Sequence, residues 1–282
     1  MTMRVGVLDV GSNTIRLLVA DVLGGLVVPV DTGRVRLALG EEIERRGVVS
    51  ATSIRAAAKA VKKFRALAAR HGVDEVDVFL TAPGRQAANA DELVAALRGA
   101  RVLTTDEEGR LAYRGAIATV DIELPATVAV CDVGGASTEI AVGSPAADPT
   151  WVESIEIGSV RLTTRSESFA LARAEAEAAF ADVVPPRAGA ALAVGGTARA
   201  ARRLVGPWLG PAELAAALNL VETLDARELT RRFGVDRNRA RILAGGVAIL
   251  AEVQHLLGVP LHVCDGGIRE GAALLRRAAL AA

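Results

Sequence analysis

Two short stretches place a carboxylate where the chain turns back on itself. Asp9-Val10-Gly11-Ser12-Asn13-Thr14 lies between apolar runs at 5–8 and 15–19, and Asp132-Val133-Gly134-Gly135-Ala136-Ser137 lies between runs at 127–131 and 138–142. A carboxylate at a strand end can face a cation or its waters, and small residues let backbone N–H groups close on an anion. One such turn is an ordinary hairpin feature. Two with the same layout, each opening about half of the chain, predict two similar domains whose turns face each other across a cleft. Two more glycine turns follow apolar strands. Gly195-Gly196-Thr197 opens a helix, so a helix N-terminus is offered to an anion, and Asp265-Gly266-Gly267 makes another acidic turn. Each is an ordinary turn by itself; four at strand ends in one chain point to phosphate-type chemistry.

The elements that must position these turns read as alternating strands and helices. After the first hairpin a third strand is expected at 26–30 and a loop beyond it. A helix over 50–71 carries Ile54, Ala57, Val61 and Phe64 on one stripe and ends at Gly72. A strand at 76–81 is broken by Pro83-Gly84. Asp106 reads as the cap of a helix running to Thr119, with Glu107 and Glu108 in its first turn. The second half predicts a strand at 151–157, an alanine-rich helix at 171–182, a strand at 191–194, helices at 211–224, 225–233 and 236–257, a last strand at 259–264 and a closing helix at 268–280. This is the order of a mixed α/β fold.

Composition narrows the class. With 282 residues and 51% apolar content the chain can bury one large or two medium cores. The formal net charge is zero, so nothing draws nucleic acid or an acidic membrane to the whole surface, and anion recognition must be local. Aromatic residues make up 3%, which argues against a stacking platform for bases or sugars. Two cysteines, Cys131 and Cys264, give no disulfide framework and read as small buried strand residues. No run approaches the ~18 uncharged apolar residues of a membrane span, and no basic leader precedes an apolar stretch, so the cytoplasm is expected. His71, His255 and His262 have no metal-ligand spacing. Arg231, Arg232, Arg237, Arg239 and Arg241 read as a mostly solvated face, able to line one wall of a polyanion groove.

The stretches LDVGSNTIRLLV (8–19), RVRLALGE (34–41), TAPGRQA (81–87), TDEEGRLAYRG (105–115), CDVGGASTEI (131–140), ESIEIGSVRL (153–162), VGGTAR (194–199) and CDGGIREG (264–271) resemble, in order, the exopolyphosphatase/guanosine pentaphosphate phosphohydrolase (Ppx/GppA) family. The resemblance covers nearly the whole chain and implies an α/β fold of two actin-like, ribonuclease-H-like domains with a cleft between them. Domain I would be 1–118, with the closing helix 269–282 packing on it, and domain II 119–268.

It implies hydrolysis of the terminal phosphoanhydride of inorganic polyphosphate by water, with Mg²⁺ or another divalent cation. The alternatives are guanosine pentaphosphate as substrate of the same site, or a non-catalytic regulator binding alarmone or polyphosphate. A homodimer is also what the family suggests. By the same resemblance Glu108 is the catalytic base or water-positioning group. Without it, Glu108 reads as a surface acid favoured by the helix dipole, and Glu107 fits that reading better. Asp132 and Glu139 match metal-binding positions, with Asp9 as a third carboxylate. In one regular strand Asp132 and Glu139 would stand an odd number apart, so the turn is expected to bend and bring both to the cleft. Gly11, Ser12, Asn13, Gly134, Gly135, Ser137, Gly195, Gly196 and Thr197 would hold phosphates. Arg85 is the expected phosphate-pairing arginine, with Arg16, Arg34, Arg36, Arg110 and Arg269 weaker candidates. Three departures stand out: Ala136 in place of a third glycine, Gly84 loosening the loop beside Arg85, and Gly-Gly-Thr at 195–197.

Overall fold

The apolar run before Asp9 forms β1 (Met3–Val10) and the run after it β2 (Thr14–Leu23), antiparallel. The computed structural model describes residues 2–281. β3 (Leu26–Arg36) continues the meander well past residue 30, because a bulge sets Val30 aside and lets Asp31 to Arg36 keep pairing with β2. Helices α1 (Leu39–Arg46) and α2 (Ala51–Arg70) follow, the second capped by Ser50, whose hydroxyl accepts from Ser53 N–H at 3.2 Å. Next come β4 (Val76–Leu80), α3 (Ala82–Gln86), α4 (Ala90–Ala96), β5 (Arg101–Val102) and α5 (Thr105–Thr119).

Two local expectations need correction. Pro83 and Gly84 do not loosen the chain after β4. Pro83 lies in the first turn of α3, where its missing N–H is no loss. Gly84 serves close packing, since a Cβ there would stand 2.9 Å from Leu80 Cβ. The cap of α5 is Thr104, not Asp106. Thr104 and Glu107 satisfy each other's N–H groups in a capping box, and Asp106 pairs with Arg110 instead.

The second half runs β6 (Val128–Val133), β7 (Thr138–Gly143), β8 (Trp151–Ile155), α6 (Ser159–Arg165), α7 (Phe169–Phe180), β9 (Ala190–Val194), α8 (Gly195–Val205) and β10 (Trp208–Leu209). It closes with α9 (Pro211–Thr223), α10 (Ala226–Phe233), α11 (Arg237–Ala240), α12 (Leu243–Leu257), β11 (Leu261–Val263) and α13 (Ile268–Ala281). The single helix expected over 236–257 is thus two.

Two sheets result, ordered β3-β2-β1-β4-β5 and β8-β7-β6-β9-β11-β10. In each, an antiparallel three-strand meander leads into parallel strands joined by helical crossovers. The second sheet repeats the first strand for strand and adds β10 at its edge. This is an α/β fold of two like units, each built on one mixed sheet.

Helix α5 lies between the two sheets. Leu111 packs with Val5, Val7, Leu18 and Phe79 of the first, and Ala112, Tyr113 and Ala116 pack with Val128, Val130 and Leu192 of the second. Helix α13 returns to the first sheet, placing Ile268, Ala272 and Ala273 beside Leu18 and Phe79. It crosses α5 so closely that a Cβ on Gly115 would lie 1.8 Å from Gly267 O. Small residues on both helices are what permit that approach.

Candidate active site

Asp9 lies near the end of β1 and Asp132 near the end of β6, at matching places in the two sheets. Each is opposed across its hairpin by the residue seven positions on: Arg16 opposite Asp9, Glu139 opposite Asp132. The bend expected at the turn is what brings Asp132 and Glu139 together. The turn puts them on facing strands at the same register, where opposed side chains share one face of the sheet. The duplicated motif therefore carries an acid and a base in one copy and two acids in the other.

The two hairpin turns meet. A Cβ on Gly135 would stand 3.0 Å from Ser12 Cβ, and Ser12 O accepts from Gly40 N–H at 2.7 Å. Between the sheets lies a cavity of about 110 Å³. Asp9, Gly11, Ser12 and Asn13 line it from the first turn, Asp132, Gly134, Gly135 and Ser137 from the second, Gly195 and Gly196 from the start of α8, and Glu108 from α5. Gly195 has φ +85°, and a Cβ on it would reach 2.2 Å from Asp132 Oδ1, so both backbone and space demand glycine there. Ala136 lines the same wall without a positive φ.

Three of the expected residues stand behind this wall. Thr197 is fully buried, and its hydroxyl donates to Val133 O at 2.9 Å, tying α8 to β6. Glu139 is 2% exposed and accepts from Ser154 Oγ at 2.9 Å. Arg85 places Nη1 2.8 Å from Glu108 Oε2 and donates to Leu103 O at 2.9 Å. The contact with Glu108 is electrostatic rather than an aligned hydrogen bond: Glu108 Oε2 and the Nε and Nη2 of Arg85 are buried without a hydrogen-bond partner.

Read alone, Glu108 belongs at the surface; the fold buries it, 9% exposed, because α5 is wedged between two sheets. Burial, then the nearby Glu139, push its carboxyl well above the ordinary range, and Arg85 opposes this. Burial likewise raises Asp132 and Glu139, and lifts Asp9 to about 6 against the pull of Arg269 and Arg16.

Facing these acids are guanidinium groups that sequence reasoning undervalued. Arg16, Arg199, Arg239 and Arg269 all line the cavity. Arg239 is not on the solvated face expected of it: Nη1 lies 3.3 Å from both Ser159 Oγ and Thr197 Oγ1, whereas Arg231, Arg232, Arg237 and Arg241 are exposed. Burial pushes Arg16, Arg199 and Arg239 down, and each is pushed further by another arginine. Positive charge crowded in this way is relieved by an anion. Arg199 follows Gly195 by four residues, one helical turn, and that spacing would have flagged it. Nothing local flags Arg239. Glu270 also lines the cavity and accepts from Gly267 N–H at 2.9 Å.

Among the described residues no three His, Cys, Asp or Glu side chains form a ready-made metal cage. The donors nonetheless suit a hard cation shared with a ligand. Asp9 Oδ1 is buried without a partner, and Asp132 is opposed by a second acid. Mg²⁺ takes one or two carboxylates plus waters and phosphate oxygens rather than a full protein cage. The other nucleophile and ligand candidates lie elsewhere. Cys131 and Cys264 are buried and free. His71 follows α2 and pairs with Asp31 at 2.8 Å. No helix among the described residues is long and apolar enough to cross a membrane.

Comparison with known proteins shows the family and the fold. The family model described as the Ppx/GppA phosphatase family matches residues 18–206. Exopolyphosphatase 2 of Mycobacterium tuberculosis is 35% identical over 178 residues, covering 57% of this chain and 54% of that protein. The chain thus spans about half the length of that relative. Exopolyphosphatase 1 of the same organism is 28% identical over 303 residues, covering 95% of this chain and 87% of the relative. Among solved structures, an exopolyphosphatase from Cytophaga hutchinsonii superposes with TM-score 0.86 at 21% identity, covering 98% of each chain. The Aquifex aeolicus Ppx/GppA family member superposes with TM-score 0.81 at 22% identity, covering 99% of each chain.

Proposed function

This chain belongs to the Ppx/GppA phosphatase family, and on that premise we propose that it removes the terminal phosphate of inorganic polyphosphate by hydrolysis. The observation that carries the reading is Glu108: a buried carboxylate facing a cavity whose other walls are hairpin turns, a helix N-terminus and guanidinium groups. Its relatives named exopolyphosphatase support the choice of substrate.

The terminal phosphoryl group would lie between the two hairpin turns. Backbone N–H groups of the turns and of Gly195 and Gly196 at the head of α8 would bind its oxygens. Arg16, Arg199 and Arg239 would neutralise charge on the next phosphates. Glu108 would orient a water in line with the scissile bond and accept its proton as the new P–O bond forms. The bridging P–O bond breaks, orthophosphate leaves, and the chain departs one unit shorter. Arg85, with Nη1 2.8 Å from Oε2, would hold Glu108 and favour its ionised form. Asp132 and Asp9, with Glu139 behind Asp132, would hold Mg²⁺ or another divalent cation, which supplies neutralisation of phosphate charge when bound.

The test is phosphate release by the purified protein with Mg²⁺ on tripolyphosphate, long-chain polyphosphate and guanosine pentaphosphate, with Glu108→Ala as the blank. Release from polyphosphate alone supports the reading. Release from the nucleotide alone transfers the activity to that substrate. Binding without release from any of the three makes the protein a regulator rather than a hydrolase.

A further inference from the structure

The catalytic cavity is built where the β1–β2 and β6–β7 turns meet. The next turn in each unit borders another cavity, at the opposite ends of the strands. β2 runs from Thr14, which lines the catalytic cavity, to Leu23, and Gly25 follows in the turn to β3. β7 runs from Thr138 to Gly143, and residues 144–150 turn the chain into β8. Helix α5 passes between the two turns, and α13 lies against it. Together these elements border a cavity of about 330 Å³, a size that holds small molecules.

Its walls are largely apolar. Ile117 comes from α5, Leu274 from α13, and Pro145 and Ala147 from the β7–β8 turn. The polar exception inside is Tyr113 of α5. Tyr113 is 1% exposed, and its hydroxyl is buried without a hydrogen-bond partner among the described residues. A polar group left in that state costs stability until something meets it. Burial pushes this hydroxyl up to about 12, so at neutral pH it keeps its proton and can donate. At the rim, Arg114 donates to Asp148 through Nε at 2.6 Å and also through Nη2. The Arg114 hydrogen bond holds Asp148 below the usual carboxylate range, so both groups are charged and offset each other. Arg110 donates to Pro149 O at 2.9 Å and ties the same turn to α5.

We propose that this cavity binds a small uncharged molecule with an apolar body and one oxygen that accepts from the Tyr113 hydroxyl. The apolar walls take the body, and Tyr113 fixes its orientation. An ionic ligand gains nothing from a rim whose two charges already satisfy each other. The occupant touches Gly25 and Leu274 on the side of the first unit and Pro145 and Ala147 on the side of the second, so it spans both. It also lies against α5 five residues beyond Glu108, on the helix that carries the catalytic acid. No residue that lines the catalytic cavity takes part.

Titration of the full chain with cyclohexanone tests this, followed through the methyl resonances of Ile117 and Leu274. Saturable shifts at both are expected in the wild type. Tyr113→Phe should weaken binding about three- to tenfold, the worth of one hydrogen bond. Ala147→Phe, at an exposed turn position, should abolish binding by filling the cavity. Cyclohexanecarboxylate should bind more weakly than the ketone. Tyr113→Phe should also melt no lower than the wild type, because the hydroxyl it removes is unpartnered. The site is overturned by an absence of saturable shifts, by equal affinity in Tyr113→Phe, or by undiminished binding in Ala147→Phe. Tighter binding of the carboxylate overturns the uncharged ligand, and a Tyr113→Phe protein that melts several degrees lower shows a hydroxyl already engaged and overturns the site as well. The readout involves no phosphate, so its outcome is independent of the hydrolase reading.

Discussion

Asp132 and Glu139 face each other across the β6–β7 hairpin, two acids at one register position, where the first copy of the motif pairs Asp9 with Arg16. Like charges directly opposed destabilise a sheet. The fold tolerates the pair because the Ser154 hydroxyl donates to Glu139 and because burial favours its neutral form. A divalent cation on the Asp132 side would remove the conflict.

Glu139→Gln should therefore stabilise the protein without added metal, by about 1 kcal/mol or a few degrees in Tm. The amide oxygen still accepts from Ser154. In the same variant the Tm rise that Mg²⁺ produces in the wild type should shrink or vanish, since a cation stabilises only the state that binds it. Thermal melts with Mg²⁺ and with chelator measure both. An undiminished Mg²⁺ shift in Glu139→Gln would remove this residue from the cation site.

Glu108→Gln should lower phosphate release by about 10²–10⁴-fold while leaving polyphosphate affinity within a few-fold. The amide keeps the shape of the side chain and cannot take a proton. Turnover at the wild-type rate would show that some other group handles the water.

Glu108 must be ionised to act as a base, and burial raises its proton affinity. The rising limb of kcat/KM against pH should accordingly lie above the ordinary carboxylate range. Arg85→Met removes the cation at 2.8 Å and should move that limb up by about one pH unit or more, with Arg85→Lys partly restoring it. The same group affects stability with a definite sign. The folded state holds the Glu108 proton more tightly than the unfolded chain does. Its stabilising contribution is thus full below about pH 4.3 and is lost as pH rises through the folded value. A limb unmoved in Arg85→Met would mean that Arg85 does not tune Glu108.

Gly115→Ala adds one methyl where Gly267 O already fills the space, 1.8 Å from the ideal Cβ. The α5–α13 crossing would have to open, at an expected loss of about 3 kcal/mol in denaturant unfolding. Ala112→Gly on the same helix provides the comparison, since it deletes a methyl without a clash. A Gly115→Ala protein as stable as wild type would contradict the close crossing.

Much of this was legible in the chain. The repeat of Asp-Val-Gly at 9–11 and 132–134 announces two like halves, because a strand end that must present backbone N–H groups needs the same small residues wherever it occurs. The stripe Ile54, Ala57, Val61, Phe64 marks α2, since helical periodicity is a local property. Gly195-Gly196 marks the head of α8 for the same reason. Which side chains meet was not legible. Glu108 and Glu107 are adjacent acids in one helical turn. One is buried between two sheets and the other spends itself on a cap, and only the packing of α5 separates them. Asp132 and Glu139 share a face through hairpin register, and Arg239 reaches the cavity from a segment that reads as solvated surface. Local sequence sets backbone conformation through sterics and nearby hydrogen bonds. Burial, opposed charge and the meeting of residues a hundred positions apart depend on how two lobes close on each other, and that information is spread over the whole chain.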